Sequence, residues 1–341
     1  MTVVTFGEIL LRLASPGYTR LLQNSSFDAT FCGGEANVAV SLAEFGVESK
    51  FVSRVPNGPI GQGAINSLRY FGVQTSEIVR GGDRLGLFYL EKGASQRPSK
   101  VIYDRAYSSF ANSVLSDFDW KEIFKDAEWF HFTGISPALG VNINDICLEA
   151  CKNAKELGIT ISCDLNYRSN LWSPSDAKKS MEKLMEYVDV CIANEEDAEN
   201  VFGIKAADSD VNMGEINNSS YLEVAKELHD RFNFKYVAIT LRTSITANDN
   251  NWAGMLFGSA DQTSNFSNSY NVHIVDRVGA GDSFGAGLIY GFINDMPLQE
   301  IIDFAAASSC LKHSIEGDFN RVTVEEVRNL VNGNRTGRVS R

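Results

Sequence analysis

Gly279-Ala280-Gly281-Asp282 is the segment of this chain best suited to chemistry. It follows a strand expected to end near Val275 and leads into a helix-like run of small and apolar residues, Phe284, Ala286, Leu288, Ile289 and Phe292. Small residues at a helix start let backbone N–H groups come close to an anion, and the helix dipole favours negative charge there. An aspartate at the same point is placed to take a proton from a hydroxyl attacking a phosphoryl group held by the turn. The same residues serve equally well as an N-terminal cap on a Gly-x-Gly turn, since aspartate is a preferred capping residue. Taken alone, the tetrapeptide does not separate cap from catalyst. It is not a dinucleotide fingerprint, because GxGxxG spacing in an early βαβ unit is missing, and no GK[ST] follows to make a Walker A loop.

A turn of this kind needs a scaffold, and the rest of the chain alternates short apolar strands with amphipathic helices. Glu35 to Phe45 places Val38, Leu42 and Phe45 on one face and stops at Gly46, a helix C-cap; a strand follows at Phe51-Val52. Strand candidates occupy 128–133, 159–164, 188–193 and 236–240; the first three are each followed by a helical pattern and the fourth is preceded by one over 221–232. The alternation predicts an α/β fold, a doubly wound, mostly parallel sheet flanked by helices on both faces. Ligands bind beyond the carboxyl ends of such strands. Thr133-Gly134, Asp164 with Asn166 and Arg168, Asn194-Glu195, and Thr240 stand there.

Two segments break the rhythm. Residues 15–31 and 84–108 alternate with period two and read as a small β-sheet lid, leaving 1–14, 32–83 and 109–333 as the main domain. Leu85, Leu87 and Tyr89 share one strand face, and Val101, Tyr103 and Arg105 share one face of the returning strand. The expectation is that Tyr89, Tyr103 and Arg105 face a pocket; an amphipathic sheet edge would give the same periodicity. Residues 205–220 read as a polar surface loop and 334–341 as a flexible tail.

A formal net charge of −12 argues against nucleic acid or an anionic membrane surface as partner. No apolar stretch approaches the roughly 20 residues of a membrane span and no secretory leader is visible, so a cytoplasmic location is expected. The six cysteines are dispersed without a CxxC pair and are expected to be free, buried thiols. His131, inside the apolar run Trp129-Phe130-His131-Phe132, reads as a core histidine, and no residue is assigned as a metal ligand.

Gly33-Gly34-Glu35-Ala36-Asn37-Val38-Ala39 near the start and Asp276-Arg277-Val278-Gly279-Ala280-Gly281-Asp282-Ser283-Phe284 near the end occur in the order found in the ribokinase-like (PfkB-type) carbohydrate kinases, which the chain resembles over essentially its whole length. The resemblance implies a ribokinase-like fold with a β lid. It also implies ATP and Mg²⁺ as cofactors, an anion hole from Gly279, Ala280 and Gly281, and Asp282 as the base that deprotonates the acceptor hydroxyl. Within that family the segments Tyr89–Gly93, Arg97-Pro98, Val101–Arg105, Asp164–Arg168 and Trp172-Ser173 are similar to kinases of 2-keto-3-deoxygluconate. By that similarity Gly34, Tyr89, Tyr103, Arg105, Arg168 and Asp318 hold a sugar acid beside Asp282, while Asn194 and the segment from Thr240 through Leu241, Arg242 and Thr243 to Thr246 line the ATP site.

The expected reaction is ATP-dependent phosphorylation of 2-keto-3-deoxy-D-gluconate at its terminal 6-hydroxyl, with Arg105 and Arg168 clamping the carboxylate through charge-assisted bonds. Alternatives are a kinase for a neutral ketose such as fructose or for another sugar acid, and a non-catalytic sugar or nucleotide sensor on the same fold. A homodimer through the lid is expected, because the edges of a small sheet need covering. The chain departs from the family pattern at Cys32, where glycine is common, and at Thr240–Thr243, where a Gly-containing turn is common.

Overall fold

The computed structural model describes residues 1–205 and 218–334, apart from the side chain of Glu195. Its first seven strands are β1 (Thr2–Phe6), β2 (Leu10–Ala14), β3 (Asp28–Cys32), β4 (Glu48–Val55), β5 (Ile78–Arg80), β6 (Leu87–Glu91) and β7 (Lys100–Asp104). The next seven are β8 (Ala127–Thr133), β9 (Thr160–Asp164), β10 (Val190–Asn194), β11 (Tyr236–Ser244), β12 (Asp249–Gly258), β13 (Thr263–Phe266) and β14 (Tyr270–His273). The first five helices are α1 (Gly34–Glu44), α2 (Pro59–Arg69), α3 (Trp120–Ile123), α4 (Val141–Glu156) and α5 (Pro174–Met185). They are followed by α6 (Glu195–Phe202), α7 (Asn218–Phe232), α8 (Ala280–Ile293), α9 (Leu298–Lys312) and α10 (Val324–Val331).

Nine strands run side by side in the order β13-β12-β11-β10-β9-β8-β1-β4-β5, with β14 pairing β12. From β11 across to β5 every pairing is parallel. Central strands buried on both faces must be apolar throughout, and in β8 Trp129, Phe130 and Phe132 lie in the core with at most 5% exposure. One face carries α3 to α7, packed through an aromatic group of Phe6, Phe118, Trp120, Phe124 and Phe130. The opposite face carries α8, α9 and α10, with α8 running against both α1 and α9. Each phenylalanine removed from water contributes about 2–3 kcal/mol. The chain order reverses beside β1, which has β4 on one side and β8 on the other, and a crevice forms at such a switch point. Four of the cysteines, Cys147, Cys151, Cys163 and Cys191, are packed as apolar residues within the core.

The remaining strands form a separate sheet, β3-β2-β6-β7. It includes Leu10–Ala14, which the sequence reading leaves in the main domain, while 15–27 form the connection between β2 and β3. Two other expectations need correction. Strand β11 runs on to Ser244 and folds back as β12, so Thr240–Thr243 lies within a hairpin strand rather than a turn; β12, β13 and β14 extend the sheet in antiparallel fashion. The strand before the glycine-rich turn ends at His273, short of Val275. Of the expected loop over 205–220, residues 218–220 are already helical, and 206–217 lie outside the described residues, as do 335–341 of the expected tail.

Candidate active site

Helix α8 begins at the crevice. Gly279 is its N-cap with φ 85°, a left-handed conformation natural to glycine, and a Cβ there would lie 2.0 Å from the carbonyl oxygen of Asp318. The first intrahelical bond is from Ser283 N to Gly279 O at 2.9 Å, so the N–H groups of Gly281 and Asp282 precede it and have no acceptor within the helix. A Cβ on Gly281 would meet no protein atom within 4 Å, and Gly281 lines a cleft of about 480 Å³. Bare backbone at a helix start, facing a cleft, is a ready anion site.

Asp282 stands in the first turn. Its Oδ2 accepts from Asn37 Nδ2 at 2.6 Å, and Asn37 Oδ1 in turn accepts from Gly33 N at 3.3 Å, which ties this carboxylate to the start of α1. Gly34 lies alongside: a Cβ on it would sit 3.6 Å from Asp282 Oδ1. Withdrawal from water pushes the Asp282 carboxyl up to about 7; the Asn37 bond opposes this, Glu35 and Asp318 reinforce it by repulsion, and Arg168 opposes it. Glu35 is buried with Oε1 accepting from Thr133 N, Thr133 Oγ1 and Ser136 Oγ, and burial raises its own carboxyl.

Behind the turn is a buried ionic group. Arg12 of β2 donates to both Asp276 and Asp318. Asp276 also accepts from Val278 N at 3.2 Å and from Gly317 N at 3.2 Å, so the second sheet, the segment entering α8 and the loop after α9 converge on one guanidinium. On the far wall Asp197 closes a capping box with Asn194 at the start of α6 and accepts from Tyr167 N at 2.9 Å, which draws the Tyr167-Arg168 loop towards the cleft. Burial pushes Asp197 up to about 6, and burial with the charges of Asp197 and Asp282 pushes Asp164 well above the usual carboxylate range.

Residues 2–320 match the pfkB family carbohydrate kinases. The chain belongs to that family. A 2-dehydro-3-deoxygalactonokinase of Haloferax volcanii is 32% identical over 337 residues, 98% of each chain. A 2-dehydro-3-deoxygluconokinase of Bacillus subtilis is 26% identical over 341 residues, covering 98% of this chain and 97% of the relative. The crystal structure of 2-dehydro-3-deoxygluconokinase from Thermotoga maritima is 51% identical and superposes with a TM-score of 0.94 over 98% of each chain. The fold is thus ribokinase-like, and the chain is a sugar kinase.

The kinase brings most of the residues singled out from sequence to this one cleft: Gly34, Tyr103, Arg105, Arg168, Asn194, Thr240, Arg242, Gly279, Ala280, Gly281, Asp282 and Asp318 all line it. Three do not. Tyr89 pairs with Ile102 on the outer face of the second sheet and packs on Phe27, ring centroids 5.8 Å apart; Phe88 takes the inward position opposite Tyr103. Leu241 is buried in the core at 2% exposure, and Thr243, two positions on along β11, shares its side of the strand. Arg105 gives Nε and Nη2 to Glu8 at 2.8 and 2.6 Å, so one edge of its guanidinium is already occupied. Asp318 is engaged by Arg12 at the cleft wall. Sequence reasoning missed Glu8, Arg12 and Asn37 as site-building residues. Asn37 lies inside the quoted glycine motif, and Arg12 is a lone charge in the strand Leu10-Leu11-Arg12-Leu13-Ala14, a pattern that marks a buried ion pair.

Proposed function

We propose that this kinase transfers the terminal phosphoryl group of ATP to the 6-hydroxyl of 2-keto-3-deoxy-D-gluconate. The carrying observation is Asp282 itself: a carboxylate raised towards neutrality, fixed by Asn37, in the first turn of a helix whose free N–H groups line the same cleft. Asp282 accepts the proton of the attacking hydroxyl, and the backbone of Gly279, Ala280 and Gly281 receives the negative charge of the transferring group. ATP lies along Asn194, Thr240 and Arg242 at the other end of the cleft. The crowding of Asp164, Asp197 and Asp282, which disfavours their ionised forms, is what a divalent cation would relieve. Mg²⁺ needs only one or two carboxylates besides phosphate and water, so Asp164 fits that role. When bound, the ion would neutralise charge on the phosphates.

The sugar-acid reading is supported by the named activities of the relatives and by Arg168, which lines the cleft beyond β9. With Arg105 half-committed to Glu8, Arg168 bears most of the carboxylate recognition and Arg105 contributes the remaining edge. Turnover with the gluconate acid, its galactonate epimer and fructose, followed by ADP release, tests this. The gluconate acid is expected to give the highest kcat/KM, and Arg168→Ala to raise its KM about 10- to 100-fold; fructose turned over as well as the acids, and unaffected by the substitution, overturns the acid assignment. We further infer that two copies associate through the second sheet, whose edge strand β7 is exposed along its length.

A further inference from the structure

Lys312 lies at the C-terminal end of α9 with 0% exposure. Lysine is almost never fully buried without compensation. Its Nζ donates to two backbone carbonyls, those of Asp276 and Ile315, both at 3.3 Å. Burial lowers the affinity of its amine for the proton, and the carboxylates of Asp276 and Asp318 oppose that. Both carboxylates are bonded by Arg12, so two carboxylates face two basic side chains, and the cluster is neutral only when Lys312 is an ammonium ion.

The backbone that Lys312 holds leads directly into the catalytic turn. Val275 N and Asp276 N donate to His313 O at 2.8 and 3.2 Å, and Ser309 Oγ donates to Ala280 O at 2.7 Å. The last turn of α9 therefore grips the entry to α8 from behind, and the ammonium satisfies the carbonyl of Asp276 three residues before Gly279. A buried carbonyl stripped of its donor would move to find another.

We propose that Lys312 is a positioning residue, a built-in cation whose ammonium fixes residues 274–279 and so sets where the N-terminus of α8 meets the transferring phosphoryl group. The proposal rests on the reading of Asp282 and its turn as the site of transfer. Loss of the ammonium should appear in kcat, because Arg105 and Arg168, which are proposed to bind the sugar's carboxylate, lie on other elements. Lys312→Met keeps the length of the side chain and removes its charge; kcat is expected to fall about 100-fold, the scale of a misplacement near 1 Å, with KM for sugar and ATP little changed. Lys312→Ala leaves room for a small cation, so ammonium chloride is expected to raise its kcat in a concentration-dependent manner, whereas tetramethylammonium chloride at equal ionic strength is not. The wild-type rate should be indifferent to the exchange, since the position between the two carbonyls is filled. An active wild type with an unchanged kcat in Lys312→Met overturns the role of Lys312, and so does a wild-type kcat that rises with ammonium, a measurement that stands even where neither variant folds. A wild type inactive on every sugar tried counts instead against the site reading.

Discussion

Burial holds the proton on Asp282, and two neighbours on one helix adjust it in opposite directions. Asn37 donates to the carboxylate and favours its charged form; Glu35, two residues earlier on α1, repels it. A carboxyl with a pKa of about 7 acts as a base only once it has lost its proton, so kcat/KM should rise through an acid limb near that value. Asn37→Ala removes the stabilising bond and should move the limb to higher pH; Glu35→Gln removes the repulsion and should move it lower. Profiles shifted in the same direction, or not at all, would contradict the assignment. Asp282→Asn should lower kcat by about 10²- to 10⁴-fold while ATP still binds, as read by calorimetry. Stability follows the opposite course. The native state holds the Asp282 proton longer than the unfolded chain, so this group's contribution declines as pH rises from about 4, its unfolded value, to about 7.

At the scale of elements, the glycine-rich turn is fastened by what lies behind it. Gly279→Ala would force a left-handed alanine, costing about 1–2 kcal/mol, and would drive its methyl group into the carbonyl of Asp318. Urea unfolding should show a loss larger than the conformational cost alone, and turnover should fall with it; unaltered stability would mean that the turn is not held as tightly as its geometry implies. The turn itself was legible from its residues, because small side chains before a helix mark a tight turn, although they did not separate cap from catalyst. Its fastening was not. Arg12 is 264 residues from Asp276 and 306 from Asp318, and no local pattern announces which strand will deliver a guanidinium to a distant loop. Tyr89 failed for a shorter-range reason. Successive residues of a strand face opposite ways, and only the pairing of Phe88 with Tyr103 shows which side of β6 the cleft receives. Strands β12 and β13 were missed because Asn, Ser and Gly dilute the apolar pattern, although antiparallel edge strands tolerate such residues.

Across the whole molecule, the second sheet has two unequal faces. Leu10, Arg12, Ala14, Cys32, Phe88 and Leu90 are buried on the side towards the main domain. Cross-strand partners on the other side line up as Ala29, Leu13, Tyr89 and Ile102, with Phe31, Leu11 and Leu87 in the adjacent row. Several are only partly covered, and Ile102 is 42% exposed on the edge strand. An apolar face ending in an edge that is unpaired among the described residues invites a second copy, and a two-fold arrangement would cover both faces at once. The kinase should therefore sediment at twice its chain mass at micromolar concentration. Ile102→Asp places a charge in the middle of the proposed contact without touching the cleft, since Ile102 faces away from Tyr103 and Phe88. It should sediment as a monomer with unchanged circular dichroism. A monomeric wild type, or a variant still dimeric, would overturn the dimer through this face.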